Sequence, residues 1–324
     1  MSYSKANLRY TDEVIAKRKS DAEMIQRDRQ IQVIRKIPEI GRYLKELSGL
    51  ASGLLRSMES DDFESMMREI TDTNQKAQRK IRSLLVENGY PEDYLDTPYT
   101  CPECGDSGFV NGYACSCRKE LLSELNVRDL EAVSPARNCR FDNFSLGYYS
   151  DISDAQYGVS PREKMEDILE YCKAYAADFD MNSNSVYMCG ATGLGKTHLS
   201  LAIANVAARK GYSVVYYSAQ NLLSDIEREK FSGARPHTES KALGCDLLII
   251  DDLGSEFSTQ FTVSQIYNIL NDRINRSKPV IISTNLSPEE LEKKYTQRIT
   301  SRIIGNYTPL FFMGSDIRQI KSAE

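Results

Sequence analysis

Gly190-Ala191-Thr192-Gly193-Leu194-Gly195-Lys196-Thr197 fits the pattern G-x-x-x-x-G-K-[ST] in full. The run follows Ser185-Val186-Tyr187-Met188-Cys189, which reads as a strand, and opens a helical stretch from Thr197 to about Ala208. No other feature restricts the fold as much, because this loop needs a strand behind it and a helix in front. Its glycines let backbone N–H groups turn inward around phosphates. The helix N-terminus brings its positive end to the same point. Lys196 is placed to reach the β- and γ-phosphates of ATP, and the Thr197 hydroxyl to hold Mg²⁺.

Three further apolar or β-branched runs follow at strand length: Ser213–Tyr217, Asp246–Ile250 and Pro279–Ser283. Helical stretches separate them. Alternation of this kind predicts a parallel sheet covered by helices on both faces. Leu247-Leu248-Ile249-Ile250-Asp251-Asp252 is a buried strand ending in two acids. Asp251 is the expected partner of the metal. Asp252 is the candidate to position or deprotonate the attacking water. Asp252 is one carbon shorter than the Glu that many such ATPases carry. The fourth of these strands, Pro279–Ser283, leads into Thr284-Asn285. Asn285 there can orient the same water or simply serve a turn before Pro288. Arg298, Arg302 and Arg318 lie beyond the fourth strand; a guanidinium brought to the γ-phosphate, from this subunit or a neighbour, stabilises transition-state charge.

Upstream, the texture changes. Residues 1–95 are charged and rich in helix formers. Helices are expected from about Asp12 to Arg35, from about Glu39 to Met58, and from Ser60 onward. The last carries Phe63, Met66, Met67, Ile70, Ala77, Ile81, Leu84 and Leu85 at three- and four-residue steps. Asp61 and Glu64 have capping-box spacing at its start, and Asn88-Gly89 with Pro91 supply its stop. This region reads either as a solvated bundle or as a partner-binding arm, its first helix being too polar to bury much.

Residues 96–137 form a zinc module and linker by the same reading. Cys101-Pro102-Glu103-Cys104 and Cys115-Ser116-Cys117 present two close thiol pairs. Four thiolates suit tetrahedral Zn²⁺ with no open position, so the site should be structural. Of the eight cysteines, Cys139, Cys172, Cys189 and Cys245 are scattered and read as buried small hydrophobes. His198 reads as packing and His237 as part of a polar loop; with these two histidines alone, a histidine triad is not expected.

The net charge of −5 offers no overall basic face for duplex DNA. The start of the chain has no signal-peptide core, and no apolar run nears the ~18 residues that cross a bilayer. A cytosolic protein with no membrane partner is expected, with thiols kept reduced.

The motif from Gly190 to Thr197, the run Leu248–Glu256 and the run Ile282–Leu286 together resemble the DnaC/DnaI-type bacterial helicase loaders, which are AAA+ ATPases. The related IstB-type transposition helpers share much of this ATPase. The resemblance covers about Asn138 to Arg318, making 138–324 the AAA+ domain. Tyr90–Tyr94 leading into the cysteines is similar to the zinc-bearing N-terminal module of DnaI-like loaders. The resemblance implies that Arg302, with Arg298 as alternate, is an arginine finger, Arg318 a sensor-2 arginine and Asn285 a sensor-1 residue. It implies that Arg140–Phe144 packs near the adenine. It further implies single-stranded DNA binding, homo-oligomeric assembly with ATP sites at subunit interfaces, and a DnaB-type hexameric replicative helicase as partner. The readings set beside it are a transposition helper and a low-turnover ATP-sensing adaptor.

Overall fold

The computed structural model describes residues 5–54, 63–134, 138–155, 158–233 and 235–323. Its contacts divide the chain into two units. One is Tyr10–Arg118; the other is Lys119–Glu324 together with the segment up to Arg9. The sequence had suggested boundaries at 95 and 137. In the structure the helices and the cysteine module share one unit, and the helix after the cysteines runs on into the other.

The first unit holds α1 (Lys5–Lys36) from Tyr10 onward, which gives way at once to α2 (Pro38–Leu54). Pro38 explains the break: it disfavours helical backbone at Ile37, yet suits the first turn of the next helix. α1 begins earlier than the apolar pattern indicated, and α2 is described only to Leu54. α3 (Phe63–Glu87) ends as expected. Gly89 takes φ +81°, and Tyr90 N–H reaches Leu85 O at 2.9 Å, which closes the last carbonyls. Asp61, the expected cap of α3, lies outside the described residues. Val33, Ile37, Ile40, Ile81, Leu84, Leu85 and Leu95 form the small core here. Tyr90 and Tyr94 lean on it, with Lys36 and Arg29 over their rings at 4.8 and 4.9 Å. A two-stranded hairpin, β1 (Phe109–Val110) and β2 (Tyr113–Ala114), completes the unit.

The second unit takes in most of α4 (Ser116–Val133), then α5 (Pro161–Asp178), β3 (Ser185–Cys189), α6 (Lys196–Arg209), β4 (Val214–Ser218), α7 (Ala219–Ser232) and α8 (His237–Gly244). It continues through β5 (Leu247–Asp251), α9 (Gln260–Asn275), β6 (Val280–Thr284), α10 (Pro288–Tyr295), α11 (Gln297–Asn306), β7 (Tyr307–Phe311) and α12 (Ile317–Ala323). Five strands pair in parallel in the order β4-β5-β6-β3-β7. Helices cover both faces, as the alternation predicted. Side chains alternate along each strand: Leu247, Ile249, Val186, Met188 and Ile281 pack with α5 and α6. Leu248, Ile250, Tyr187, Val280 and Ile282 pack with α7, α9, α10 and α11. Burial on both faces is why the strands read as continuous apolar runs.

The fifth strand, β7, was not read from the sequence. Its Thr308 and Pro309 dilute the apolar signal, and proline lacks the N–H a central strand needs. Pro309 is tolerated because β7 pairs only with β3, at the sheet edge. His237 is likewise the first residue of α8 and not part of a loop. Cys139, Cys172, Cys189 and Cys245 are buried, as expected. Among the described residues, no helix is long and apolar enough to cross a membrane.

Candidate functional site

The sheet order brings the carboxyl ends of β3, β6 and β5 side by side, with β6 between the glycine-loop strand and the acid-bearing strand. Crevices beyond the carboxyl ends of parallel strands are where such sheets bind ligands. Here a cleft of ≈ 450 Å³ is lined by Gly193, Leu194, Gly195, Lys196, Thr197, Asp251, Asp252, Asn285 and Arg318. Its other wall is formed by Asn143, Phe144, Tyr148, His198 and Lys321, among others. Gly190 leads into the loop, with Ala191 and Thr192 exposed at its turn.

Lys196 is buried and turned onto its own loop. Its Nζ donates to Gly190 O and Ala191 O at 2.6 Å each and to Asn285 Oδ1 at 2.8 Å. Burial pulls its pKa below the usual lysine value, against the opposing pull of Asp252, Cys189 and Asp251. Asn285 also donates through Nδ2 to Asp252 Oδ1 at 3.3 Å. One amide therefore bridges the loop lysine and the second acid, which places Asn285 at the site.

Asp251 is buried and heavily bonded. Thr197 Oγ1 donates to its two carboxylate oxygens at 3.1 and 3.0 Å. Tyr216 Oη donates to it at 2.8 Å, and Ser283 Oγ donates to its Oδ1. A hydroxyl and a carboxylate in direct contact at the mouth of a phosphate loop form a donor pair suited to a hard divalent cation. Tyr216 and Ser283 were missed by sequence reasoning; the only signal was a polar residue in each otherwise apolar strand.

Asp252 takes φ +52°, a left-handed conformation that Asp adopts more readily than most residues. Ser283 Oγ accepts its N–H at 3.0 Å, and Ser283 O accepts Leu253 N–H at 2.8 Å. The turn aims the carboxyl at the cleft. Burial raises its pKa above the ordinary 3.8, and the Asp251 charge raises it further. The following loop is tied to α10: Gly254 N–H donates to Glu256 Oε2 at 3.0 Å, while Lys294 Nζ reaches Gly254 O and Glu256 O at 2.6 and 2.8 Å. Buried Glu256 also accepts from Tyr295 Oη. The carrier loops of Asp252 and Asn285 are thus clamped together.

The C-terminal segment docks on the glycine loop. Ile317 N–H donates to Gly193 O at 3.1 Å. Gly193 has φ +74°, and a Cβ added there would lie 1.8 Å from Asp316 Oδ1. Glycine at this position therefore serves the docking of Asp316 as well as the turn. Arg318, two residues on, lines the cleft. Behind the loop, buried Tyr149 donates through Oη to Leu194 O at 2.9 Å, and Phe144 packs edge-on to His198 at 5.4 Å. The Arg140–Phe144 segment lies beside the cleft, with Arg140 O 2.8 Å from His198 Nε2. Asp316, Tyr149 and Lys321 carried no recognisable signal in the sequence.

Arg302 is not brought to this cleft. Its guanidinium sits over Tyr267 and bonds to Tyr267 and Asn271 of α9. Arg298 is exposed and lines a separate cleft with Tyr267.

In the other unit, the Sγ atoms of Cys101, Cys104, Cys115 and Cys117 all lie within 4.8 Å of one another. Cys101–Cys115 and Cys104–Cys117 are 3.7 and 3.6 Å apart. A tetrahedron with metal–sulfur arms of ~2.3 Å has edges of about 3.8 Å, so the cluster can hold a metal ion. Gly108 N–H donates to Cys104 Sγ at 3.4 Å. Burial pushes the Cys104 pKa up, but that bond and the neighbouring thiols outweigh it and bring it to about 7. Asp106 braces the first pair by accepting from Thr100 and Cys101 N–H at 2.8 and 2.9 Å.

Parts of the chain are similar to known proteins. Residues 152–304 match the family of IstB-like ATP binding proteins. The chromosomal replication initiator protein DnaA of Campylobacter jejuni subsp. jejuni (strain 81-176) is 24% identical over 276 residues, covering 81% of this chain and 60% of its own. The chain thus spans about three-fifths of the length of such relatives. The replicative helicase loader DnaC of Buchnera aphidicola subsp. Acyrthosiphon pisum (strain APS) is 28% identical over 206 residues, covering 62% of this chain and 76% of its own. The crystal structure of a DnaC helicase loader superposes with a TM-score of 0.48 at 20% identity, covering 56% of this chain and all of that one. The match over 152–304 and the similarity to a DnaC loader are consistent with the DnaC/DnaI-type AAA+ resemblance.

Proposed function

We propose that this ATP-binding chain is an ATPase that loads a hexameric, DnaB-type replicative helicase onto single-stranded DNA. The observation that carries the ATPase part is the convergence of Lys196, Thr197, Asp251, Asp252 and Asn285 at one end of the sheet. The phosphates draw Lys196 from Gly190 O and Asn285 to themselves. Asn285 is then free to orient a water with Asp252, which positions it or takes its proton. Thr197, and Asp251 through water, would hold Mg²⁺, which would supply charge neutralisation on the phosphate oxygens. Arg318 approaches the phosphates from the same subunit. Arg302, or Arg298 as alternate, approaches from a neighbour, so the active form is a homo-oligomer.

The loader part is supported by the joining of this domain to a helical unit with four convergent thiols, and by the similarity to a replicative helicase loader over 62% of the chain. Cys101, Cys104, Cys115 and Cys117 would hold Zn²⁺ in a structural role, since four thiolates leave no position open for chemistry. Residues 1–95 are the helicase-binding region, 96–137 the zinc module and linker, and 138–324 the ATPase. Co-purification of the full-length protein with the replicative helicase of its host tests the proposal. An ATP-dependent complex is expected; no complex with folded, nucleotide-binding protein refutes it.

A second reading has its own support. The IstB-like match over 152–304 favours a transposition helper. That reading predicts ATP-dependent filaments on duplex DNA by electron microscopy, whereas the loader predicts preference for single strands. The left-handed, partly buried Asp252 favours a low-turnover ATP sensor instead. Hydrolysis stimulated by single-stranded DNA and lost in Lys196→Ala excludes that reading.

A further inference from the structure

Arg302 lies on α11, one turn after Arg298, on a half-buried flank beside Ile299 and Ile303, which anchor that helix in the core. Its guanidinium is held from several sides. Nε donates to Asn271 Oδ1 at 3.0 Å, Nη2 to Tyr267 Oη at 2.9 Å and Nη1 to Arg298 O at 3.2 Å. The Tyr267 ring lies under it, with its centroid 4.7 Å from the guanidinium carbon. Tyr267 and Asn271 are four residues apart, so they share one face of α9.

We infer that Tyr267 and Asn271 are positioning residues that hold Arg302 in the orientation in which it meets the γ-phosphate of a neighbouring subunit. The inference rests on the proposed role of Arg302 as the donated arginine. A guanidinium has five N–H donors. Three are engaged here, which leaves one on each Nη. One N–H on each of two nitrogens is the set that can pair bidentately with phosphate oxygens. The bonds that fix the arginine are therefore made by the groups it does not need for the phosphate. Tyr267 also borders an open cleft of ≈ 510 Å³ with Ser258, Thr259, Gln260 and Arg298, so the cradle stands at the surface where another subunit can seat.

The chemistry explains the cradle. Phosphoryl transfer spreads charge over the equatorial oxygens, and donors already aimed at that charge need no reorganisation during the reaction. A long, flexible side chain that must find its pose anew loses that advantage, and a displacement of ~1 Å costs about 100-fold in rate. Neither Tyr267 nor Asn271 lines the nucleotide cleft of its own subunit. Their influence on hydrolysis must pass through Arg302, and so must appear at the neighbour's site.

Mixing full-length subunits tests this. Asp252→Asn subunits keep the arginine but have a silent site; Arg302→Ala subunits keep the site but offer no arginine. Each alone is inactive, and the mixture is expected to hydrolyse ATP. Adding Tyr267→Ala or Asn271→Leu to the Asp252→Asn subunit should lower the mixture's kcat about 10- to 100-fold, with KM for ATP unchanged. Adding the same change to the Arg302→Ala subunit should leave kcat where it was. Tyr267→Phe, which keeps the ring and loses the hydroxyl acceptor, should fall between, and it guards against loss of folding in the larger truncation. Equal losses in either subunit, or no loss from the donating one, overturn the inference while leaving Arg302 as the donated arginine. A mixture of the two parent variants no more active than either alone refutes the role of Arg302 itself, and the cradle with it.

Discussion

Gly193→Ala is the substitution whose cost the structure makes most explicit. The backbone there has φ +74°, where a Cβ costs ~1 kcal/mol or more. The new carbon would also lie 1.8 Å from Asp316 Oδ1 and 2.2 Å from its Cγ, so Asp316 must move. Moving it gives up the Arg318 N–H bond to Asp316 Oδ1, 2.9 Å long, and the Ile317 N–H bond to Gly193 O, 3.1 Å long. At ~1 kcal/mol for each bond, the total is about 3 kcal/mol. Asp316→Ala alone gives up only the cap, at ~1 kcal/mol. In the double variant the overlap is gone and the Ile317 bond returns, so the pair costs about 2 kcal/mol where simple addition gives about 4. Urea unfolding of the four proteins of this cycle measures the difference. The double variant should be more stable than Gly193→Ala, and ATP affinity should follow the same order because Arg318 moves with Asp316. Additive costs, or a Gly193→Ala protein within ~0.5 kcal/mol of the parent, would refute the docking of the C-terminal segment on the loop.

Other substitutions probe separate parts. Arg273 is fully buried, donating to the carbonyls of Ala242, Cys245, Asp246 and Pro279; Arg273→Met strands these acceptors and should lower stability by ~3 kcal/mol or more in urea unfolding. The Asp252 pKa is raised in the folded protein, so folding takes up protons there and the stability it contributes declines as pH rises from 3.8 through the raised value. Asp252→Asn should therefore stabilise the nucleotide-free protein at pH 7 and not at pH 3, as read by thermal melts at the two values. Removing metal with a chelator, or Cys104→Ser, should melt the hairpin region of the first unit, seen as loss of amide-exchange protection over residues 99–118 with the 185–311 sheet unchanged.

Much of the cleft lining was legible because the residues expected there are local in sequence. Gly190 to Thr197 is one turn of chain whose spacing is dictated by a phosphate, and Asp251 and Asp252 close an unbroken apolar strand. The thiol cluster was legible for the same reason, its two pairs being brought together by a short glycine-bearing hairpin. What escaped the sequence is long-range. Tyr216 and Ser283 reach Asp251 from separate strands, 35 and 32 residues away. Asp316 meets Gly193 only once β7 has been laid beside β3. β7 itself was hidden by Pro309, which an edge strand tolerates and a pattern search penalises.

Isothermal titration of the purified, full-length protein with ATP, with and without Mg²⁺, tests the central claim most directly. The account predicts saturable binding to one site per chain that strengthens with Mg²⁺, loses that strengthening in Asp251→Asn and weakens about 100-fold or more in Lys196→Ala. Folded protein that takes up no ATP, or takes it up equally with and without the metal, would contradict it.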